Sequence, residues 1–203
     1  MEIKKKSIQA TRSLTYIVQN IVVKADLGID PDLTLDLEKI TKTINNVEYN
    51  KKRFPGLFLR ILDPKCVAII FRNGKMILSG LKSFNNVDII ISRIISEFKS
   101  KIKIKINIKA VKSEIVNIVT TAELDDRIDL DLAAIRLENT MYEPEVFPAC
   151  ICKYTAPVKC VFLVFNNGKI VLTGVKEKDS IEPALVHFGK LLKRQELFIK
   201  DKN

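Results

Sequence analysis

Two sixteen-residue stretches of this chain repeat one another, and that repetition restricts the fold more than any other feature. Residues 67–82 read V-A-I-I-F-R-N-G-K-M-I-L-S-G-L-K, and residues 161–176 read V-F-L-V-F-N-N-G-K-I-V-L-T-G-V-K. Eight of the sixteen positions agree: Val67/Val161, Phe71/Phe165, Asn73/Asn167, Gly74/Gly168, Lys75/Lys169, Leu78/Leu172, Gly80/Gly174 and Lys82/Lys176. Chance would give about one match, so the chain carries an internal repeat. Each copy has an apolar, partly β-branched run, then Asn-Gly, then a second apolar run. That pattern is a β-hairpin, in which Asn-Gly is expected to supply the two positive-φ positions of a type I′ turn.

The repetition extends well beyond the hairpin. V-Q-N-I-V (18–22) echoes I-V-N-I-V (115–119) at an offset of 97, and L-D-L-E-K-I (35–40) echoes L-D-L-A-A-I (130–135) at 95. Tyr49, Phe54, Pro55 and Pro64 echo Tyr142, Phe147, Pro148 and Pro157 at 93, and the offset is 94 from Cys66/Cys160 onward. Insertions gather in loops, so each change of offset is expected to fall between elements: two residues lost after the first strand, two more after the first helix, one gained near Val158. Each repeat then parses as strand, helix, four strands, helix. The first helices begin near Leu37 and Leu132, with Asp36 and Asp131 as N-caps and Leu37, Ile40, Ile44 and Val47 as an apolar stripe. Strands are expected at 54–62, 66–72 and 75–80, and at 147–154, 160–166 and 169–174. Closing helices are expected over 86–99 and from Ser180. K-I-K-I-K-I-N-I-K (101–109) alternates without a break and reads as a further strand. The fold class is α+β: two pseudo-symmetric repeats forming one antiparallel sheet. The organisation is a short basic tail (1–15), a first repeat (16–107) and a second (108–203).

Composition excludes several classes. With 47% hydrophobic residues in 203 the chain can bury a core, no apolar run is long enough to span a membrane, and the start M-E-I-K-K-K-S-I-Q lacks the apolar segment of a secretory signal. Cys66, Cys150, Cys152 and Cys160 lack paired zinc-ligand spacings and read as buried, reduced thiols, which suits a reducing compartment, cytosol or nucleus. His187 is the only histidine. It falls in a helix without a nucleophile nearby in sequence, and no phosphate loop or metal-ligand cluster is present, so neither an enzyme nor a cofactor is expected. The net charge of +10 suits nucleic acid or another anionic surface.

Strand alternation carries the reading further. In the first repeat Phe54, Phe58, Arg60, Val67, Ile69, Phe71, Ile77 and Ser79 fall on one face, and Leu57, Leu59, Ile61, Ala68, Ile70, Met76 and Leu78 on the other. The helices are too few to cover both. The uncovered face is apolar, with two phenylalanines per repeat and symmetric polar positions: Asn20/Asn117, Ser79/Thr173, Arg60/Lys153, Lys75/Lys169 and Lys82/Lys176. An apolar surface with central amides and a cationic margin suits a DNA minor groove. Such a patch also suits a protein partner or a homodimer.

At E-Y-N-K-K-R-F (48–54), F-R-N-G-K-M-I-L-S-G-L-K (71–82), Y-E-P-E-V-F-P (142–148), F-N-N-G-K-I-V-L-T-G-V-K (165–176) and Q-N-I-V (19–22), the chain resembles the conserved core of the TATA-box-binding family. The match runs in order over about 16–198. The resemblance implies a saddle, with helices on its convex face and a concave sheet that binds and bends A·T-rich promoter DNA. It implies intercalating pairs Phe54 with Phe71 and Phe147 with Phe165, and central amides at Asn20 and Asn117. Around these it implies apolar contacts from Val22, Val119, Ile69, Leu163, Ile77 and Val171, and hydroxyls at Ser79 and Thr173. Backbone-contacting cations are implied at Arg53, Arg60, Lys75, Lys82, Lys153, Lys169 and Lys176. Glu143 and Glu145 match the acidic turn by which the family recruits initiation factor B; initiation factor A and nuclear localisation are also implied. The chain departs from the family at Ser79 (threonine), Lys153 (arginine), Val116 (glutamine) and the extra residue after Pro157, which keeps open a divergent paralogue acting at non-TATA promoters through protein contacts.

Overall fold

The computed structural model describes residues 15–199. The expected basic tail lies outside the described residues except for Thr15, which opens the first strand. The first repeat contains β1 (Thr15–Asp26), α1 (Leu37–Thr43), β2 (Val47–Glu48), β3 (Leu57–Leu62), β4 (Lys65–Ile70), β5 (Lys75–Leu81) and α2 (Asn86–Glu97). The second contains β6 (Lys112–Glu123), α3 (Leu130–Arg136), β7 (Thr140–Met141), β8 (Ala149–Tyr154), β9 (Cys160–Phe165), β10 (Lys169–Val175) and α4 (Ile181–Arg194). The strands form one open antiparallel sheet in the order β2-β3-β4-β5-β1-β6-β10-β9-β8-β7. The chain divides into two compact units, residues 20–116 and residues 15–19 with 117–199, the division running through β1 and β6.

In the first unit Leu57, Leu59, Ile61, Ala68, Ile70, Met76 and Leu78 are all buried, as are Leu37 and Ile40 of α1 and Val87, Ile90, Ile91 and Ile94 of α2. Burying each of the large side chains is worth about 1.5–3 kcal/mol, which is what holds helices this short in place. The second unit packs aromatic rings at matching positions. Phe188 of α4 stacks on Phe162 of β9 at 4.0 Å, and Tyr154 of β8 stands edge-on to both. The same face of the sheet is therefore covered by a helix, as the alternation predicts.

Both short helices are capped by aspartate: Asp36 accepts from the Lys39 N–H at 3.0 Å, and Asp129 from the Leu132 N–H at 2.9 Å. The second cap differs from the sequence expectation, since Asp131 lies inside the first turn of α3. The L-D-L echo at an offset of 95 is thus fortuitous. The structural offset is 97 at the long strands and already 93 at the helices, because the connection shortens from ten residues (27–36) to six (124–129). Ile135, the sequence echo of buried Ile40, is accordingly 81% exposed. Val47 belongs to β2 and not to the helical stripe, because Ile44 already ends α1 with extended backbone. The single residue gained near Val158 is borne out: Ile61 pairs with Cys66 across four intervening residues, and Tyr154 pairs with Cys160 across five.

Two further expectations are corrected. The hairpin turns are not type I′. Only the glycines adopt positive φ, 77° at Gly74 and 85° at Gly168, while Asn73 and Asn167 do not. Gly74 N–H closes the turn on Phe71 C=O at 3.0 Å, the pattern of a three-residue loop ending in a glycine bulge. The asparagine contributes otherwise, its Oδ1 accepting from the Lys75 N–H at 3.2 Å. The stretch 101–109 is not a strand either. It runs as a wide helical turn (Phe98–Ile102) and a short helical turn (Ile108–Ala110); its strand-like pairing is one bridge, Ile106 to Ile29, beside which the Asn107 N–H donates to the Gly28 C=O at 2.9 Å. A strand needs a neighbour with free ladder groups, and β1 is already paired on both sides by β5 and β6. The alternation survives as burial only as far as Ile106: Ile102, Ile104 and Ile106 are buried or half-buried and Lys101, Lys103 and Lys105 exposed, but Ile108 is exposed too.

Candidate nucleic-acid interface

In the first unit Val22, Phe58, Val67, Ile69, Phe71, Ile77 and Ser79 are half-exposed and alternate with the buried set. Cross-strand register brings them together: Phe58 opposes Ile69, Ile69 opposes Ile77, and Val67 opposes Ser79. The second unit repeats this with Val119, Ile151, Val161, Leu163, Phe165, Val171 and Thr173.

The sheet ladder is interrupted beside each central asparagine. The β1–β5 register shifts between Ile21 and Val23, and the β10–β6 register between Leu172 and Val175. At these bulges Gly80 and Gly174 take φ values of 98° and 87°. A Cβ at Gly80 would meet nothing closer than 3.4 Å, so the backbone conformation, and not lack of space, calls for glycine. Each freed glycine N–H then donates to an asparagine Oδ1, Gly80 to Asn20 at 2.7 Å and Gly174 to Asn117 at 2.8 Å. This settles which end of each amide is which, because a backbone N–H can only meet the oxygen. Asn20 Nδ2 donates to Ser79 Oγ at 3.3 Å, and Thr173 Oγ1 donates to Asn117 Oδ1 at 3.3 Å. Each asparagine therefore keeps amide N–H groups for an external acceptor.

The aromatic pairs lie at the turns. Phe54 and Phe71 are 6.1 Å apart, Phe147 and Phe165 6.3 Å. Phe54 and Phe147 are 37% and 39% exposed, unusual for phenylalanine in a folded chain. Arg53, Lys75, Lys82, Lys153, Lys169 and Lys176 are exposed. Arg60 is exposed too, but lies 3.4 Å from Glu48. The two turns carry opposite charge: Lys51, Lys52 and Arg53 in the first, Glu143 and Glu145, all exposed, in the second. Val146, between the latter and Phe147, is 78% exposed.

Three features escaped sequence reasoning as site residues. Gln19 Nε2 donates to Thr121 Oγ1 at 2.8 Å, tying β1 to β6 beside Asn20; no spacing rule links residues so far apart in sequence. Gly56 lies beneath the Phe54 and Phe71 rings. Phe58 lies against Phe54 at 5.4 Å. The alternation that puts Phe58 on the uncovered face was the available signal. All four cysteines are free and buried, as expected. His187 is exposed on α4.

The sequence model of the family described as "Transcription factor TFIID (or TATA-binding protein, TBP)" matches residues 15–101 and 112–195. The chain is 40% identical over 181 residues to the TATA-box-binding protein of Pyrodictium occultum, covering 89% of this chain and 87% of that one. It is 40% identical over 176 residues to that of Sulfolobus acidocaldarius, covering 86% of each. Among solved structures, Methanococcus jannaschii TBP superposes with a TM-score of 0.78 at 36% identity, over 88% of this chain and 98% of that one. Repeat, fold and sequence agree, and the chain belongs to the TATA-binding protein family.

Proposed function

We propose that this protein is a transcription initiation factor that binds A·T-rich promoter DNA through the minor groove and bends it. The observation that carries this reading is the fixed polarity of Asn20 and Asn117. Each amide has its oxygen held by a glycine N–H, so it offers only donors outward. The minor-groove edge of an A·T pair offers only acceptors, whereas a G·C pair adds a donor. Half-exposed apolar side chains around each amide suit sugars and base edges. The pairs Phe54/Phe71 and Phe147/Phe165 suit insertion between base steps, which kinks the duplex toward the major groove. Exposed Arg53, Lys75, Lys82, Lys153, Lys169 and Lys176, with Arg60 released from Glu48, suit the phosphates.

The exposed Glu143–Val146 turn suits a protein partner, and its carboxylates are the residues by which we expect initiation factor B to be recruited. Initiation factor A is expected elsewhere on the protein. Without DNA, the apolar face suits a second copy of the chain. The relatives named above are archaeal, and archaeal cells lack a nucleus, so these relatives do not support the nuclear expectation.

End-labelled duplexes test the reading by energy transfer. An A·T-rich TATA duplex is expected to bend on addition of protein, and a G·C-rich duplex of equal length is not. Equal response from both, or binding of the first without bending, would favour a factor that acts mainly through protein contacts.

A further inference from the structure

Lys24 is a cation on the sheet face that carries the central amides, and the second unit has a hydroxyl in its place. Ile21, Val23 and Ala25 of β1 are buried, so Asn20, Val22 and Lys24 share the opposite face, on which Lys24 is exposed. Register sets Lys24 against Ile77 and Asp26 against Lys75. In the second unit the matching pairs are Thr121 against Val171 and Glu123 against Lys169. Thr121 stands where Lys24 does, and its Oγ1 accepts from the Gln19 amide at 2.8 Å. Lys24 is without such a neighbour, because Val116 holds the place of Gln19. The charge of the two rows differs accordingly. Lys24, Asp26 and Lys75 leave a net +1, whereas Glu123 and Lys169 cancel. The Asp26 carboxylate accepts from the Gly28 N–H at 2.9 Å, and among the described residues Lys24 takes part in no ion pair.

Distance along the strand says what this ammonium can meet. Four residues separate Lys24 from Asn20, about 13 Å at roughly 3.3 Å per residue. The minor groove is only about 6 Å wide. With Asn20 at the base acceptors and β1 crossing the groove, Lys24 lies past the base edges and over sugar and phosphate, one pleat inside the margin that Lys75 marks. A lysine there can lay its aliphatic stem along apolar neighbours such as Ile77 and carry its charge outward. We propose that Lys24 is a further phosphate-binding residue of the first unit, adding to the salt dependence set by the six exposed cations named above. The proposal rests on the minor-groove reading. It assigns Lys24 to affinity and not to the choice of base, since a phosphate contact carries no sequence information.

The slope of log affinity against log salt is the readout that a merely structural role leaves unmoved. Fluorescence anisotropy on labelled A·T-rich and G·C-rich duplexes measures it for the parent and two variants. Lys24→Met keeps the length and apolar stem of the side chain and removes its charge. Its slope on the A·T duplex is expected to be shallower than the parent's by about 0.9, the value of one phosphate contact. The parent's advantage over it then shrinks about threefold as salt rises from about 50 to about 200 mM. The ratio of A·T to G·C affinity is expected to stay the same in parent and variant. Lys24→Arg keeps the charge and is expected to keep the parent slope. An unchanged slope in Lys24→Met, from a parent that bends the A·T duplex, would overturn the proposal. A loss of discrimination between the duplexes would overturn it too, by placing the ammonium at the bases. A slope that falls equally in Lys24→Arg would do so as well, since the loss would then come from something other than charge. A parent protein that bends no A·T duplex would instead overturn the minor-groove reading, and this proposal with it.

Discussion

The Oδ1 of Asn20 accepts from Gly80, and its amide nitrogen faces outward with only a long contact to Ser79. Asn20→Asp keeps an oxygen for Gly80 and leaves the fold intact. It replaces the donor with an acceptor and brings negative charge toward base acceptors and phosphates. Affinity for an A·T duplex, measured by fluorescence anisotropy, should fall about tenfold or more, with an unchanged unfolding midpoint. The buried thiols make a second prediction. Burial pushes Cys66, against the pull of Arg93, and Cys160 up to about 11 from an ordinary value of 9.0. A raised value means that the folded state favours the neutral thiol. That contribution to stability is complete below pH 9 and is lost as pH rises from about 9 to 11. The urea midpoint should fall across that window, and Cys66→Ala with Cys160→Ala should make the fall shallower.

The short helices show how an element is fixed by its ends. A seven-residue helix is marginal alone, so α1 and α3 depend on their caps and on buried Leu37, Ile40, Leu130 and Ala133. Asp36→Ala and Asp129→Ala should each cost about 1 kcal/mol in urea unfolding. Asp131→Ala should cost only about 0.3–1 kcal/mol, through the helix dipole. Equal losses at Asp129 and Asp131 would return the cap to the place the sequence echo suggested. The lysine–isoleucine stretch 101–109 shows the converse case. Its alternation is as regular as any in the chain, yet it lacks a strand partner beyond the single Ile29–Ile106 bridge. Period alone describes which side chains are wet; the ladder must come from somewhere else.

On the scale of the whole molecule, attraction to DNA and bending of DNA rest on different side chains, and so should separate. Phe54→Ala with Phe71→Ala removes one aromatic pair and leaves every cation. The energy-transfer signal for bending should drop sharply. The slope of log affinity against log salt should stay near about −5, roughly 0.9 for each of the six exposed cations if all meet phosphates. A double variant that bends the TATA duplex as the parent does would remove these rings from the wedge. A slope that collapses with the rings would show that the cations reach phosphates only on bent DNA.

The sequence by itself determined the repeat, the strand–helix order outside 101–109, the two faces of the hairpins and the family. Each of these is written in local period and in spacing between identical residues, and each survives small errors in boundary. The fourfold phenylalanine pattern and the Asn20/Asn117 pair were legible for the same reason. Only the tertiary structure decided where the offset between repeats changes, because L-D-L recurs by coincidence and burial alone exposes Ile135. It decided the turn type, because Asn-Gly suits more than one hairpin and the strands choose the one with the glycine bulge. It decided the orientation of the amides, because the Gly80 and Gly174 N–H groups become free only where two distant strands fall out of register. Gln19 met Thr121, and Phe58 came to lie against Phe54, by the same cause: contacts between residues far apart in the chain, or between side chains of unlike size at matching positions, depend on packing in three dimensions and leave no periodic trace.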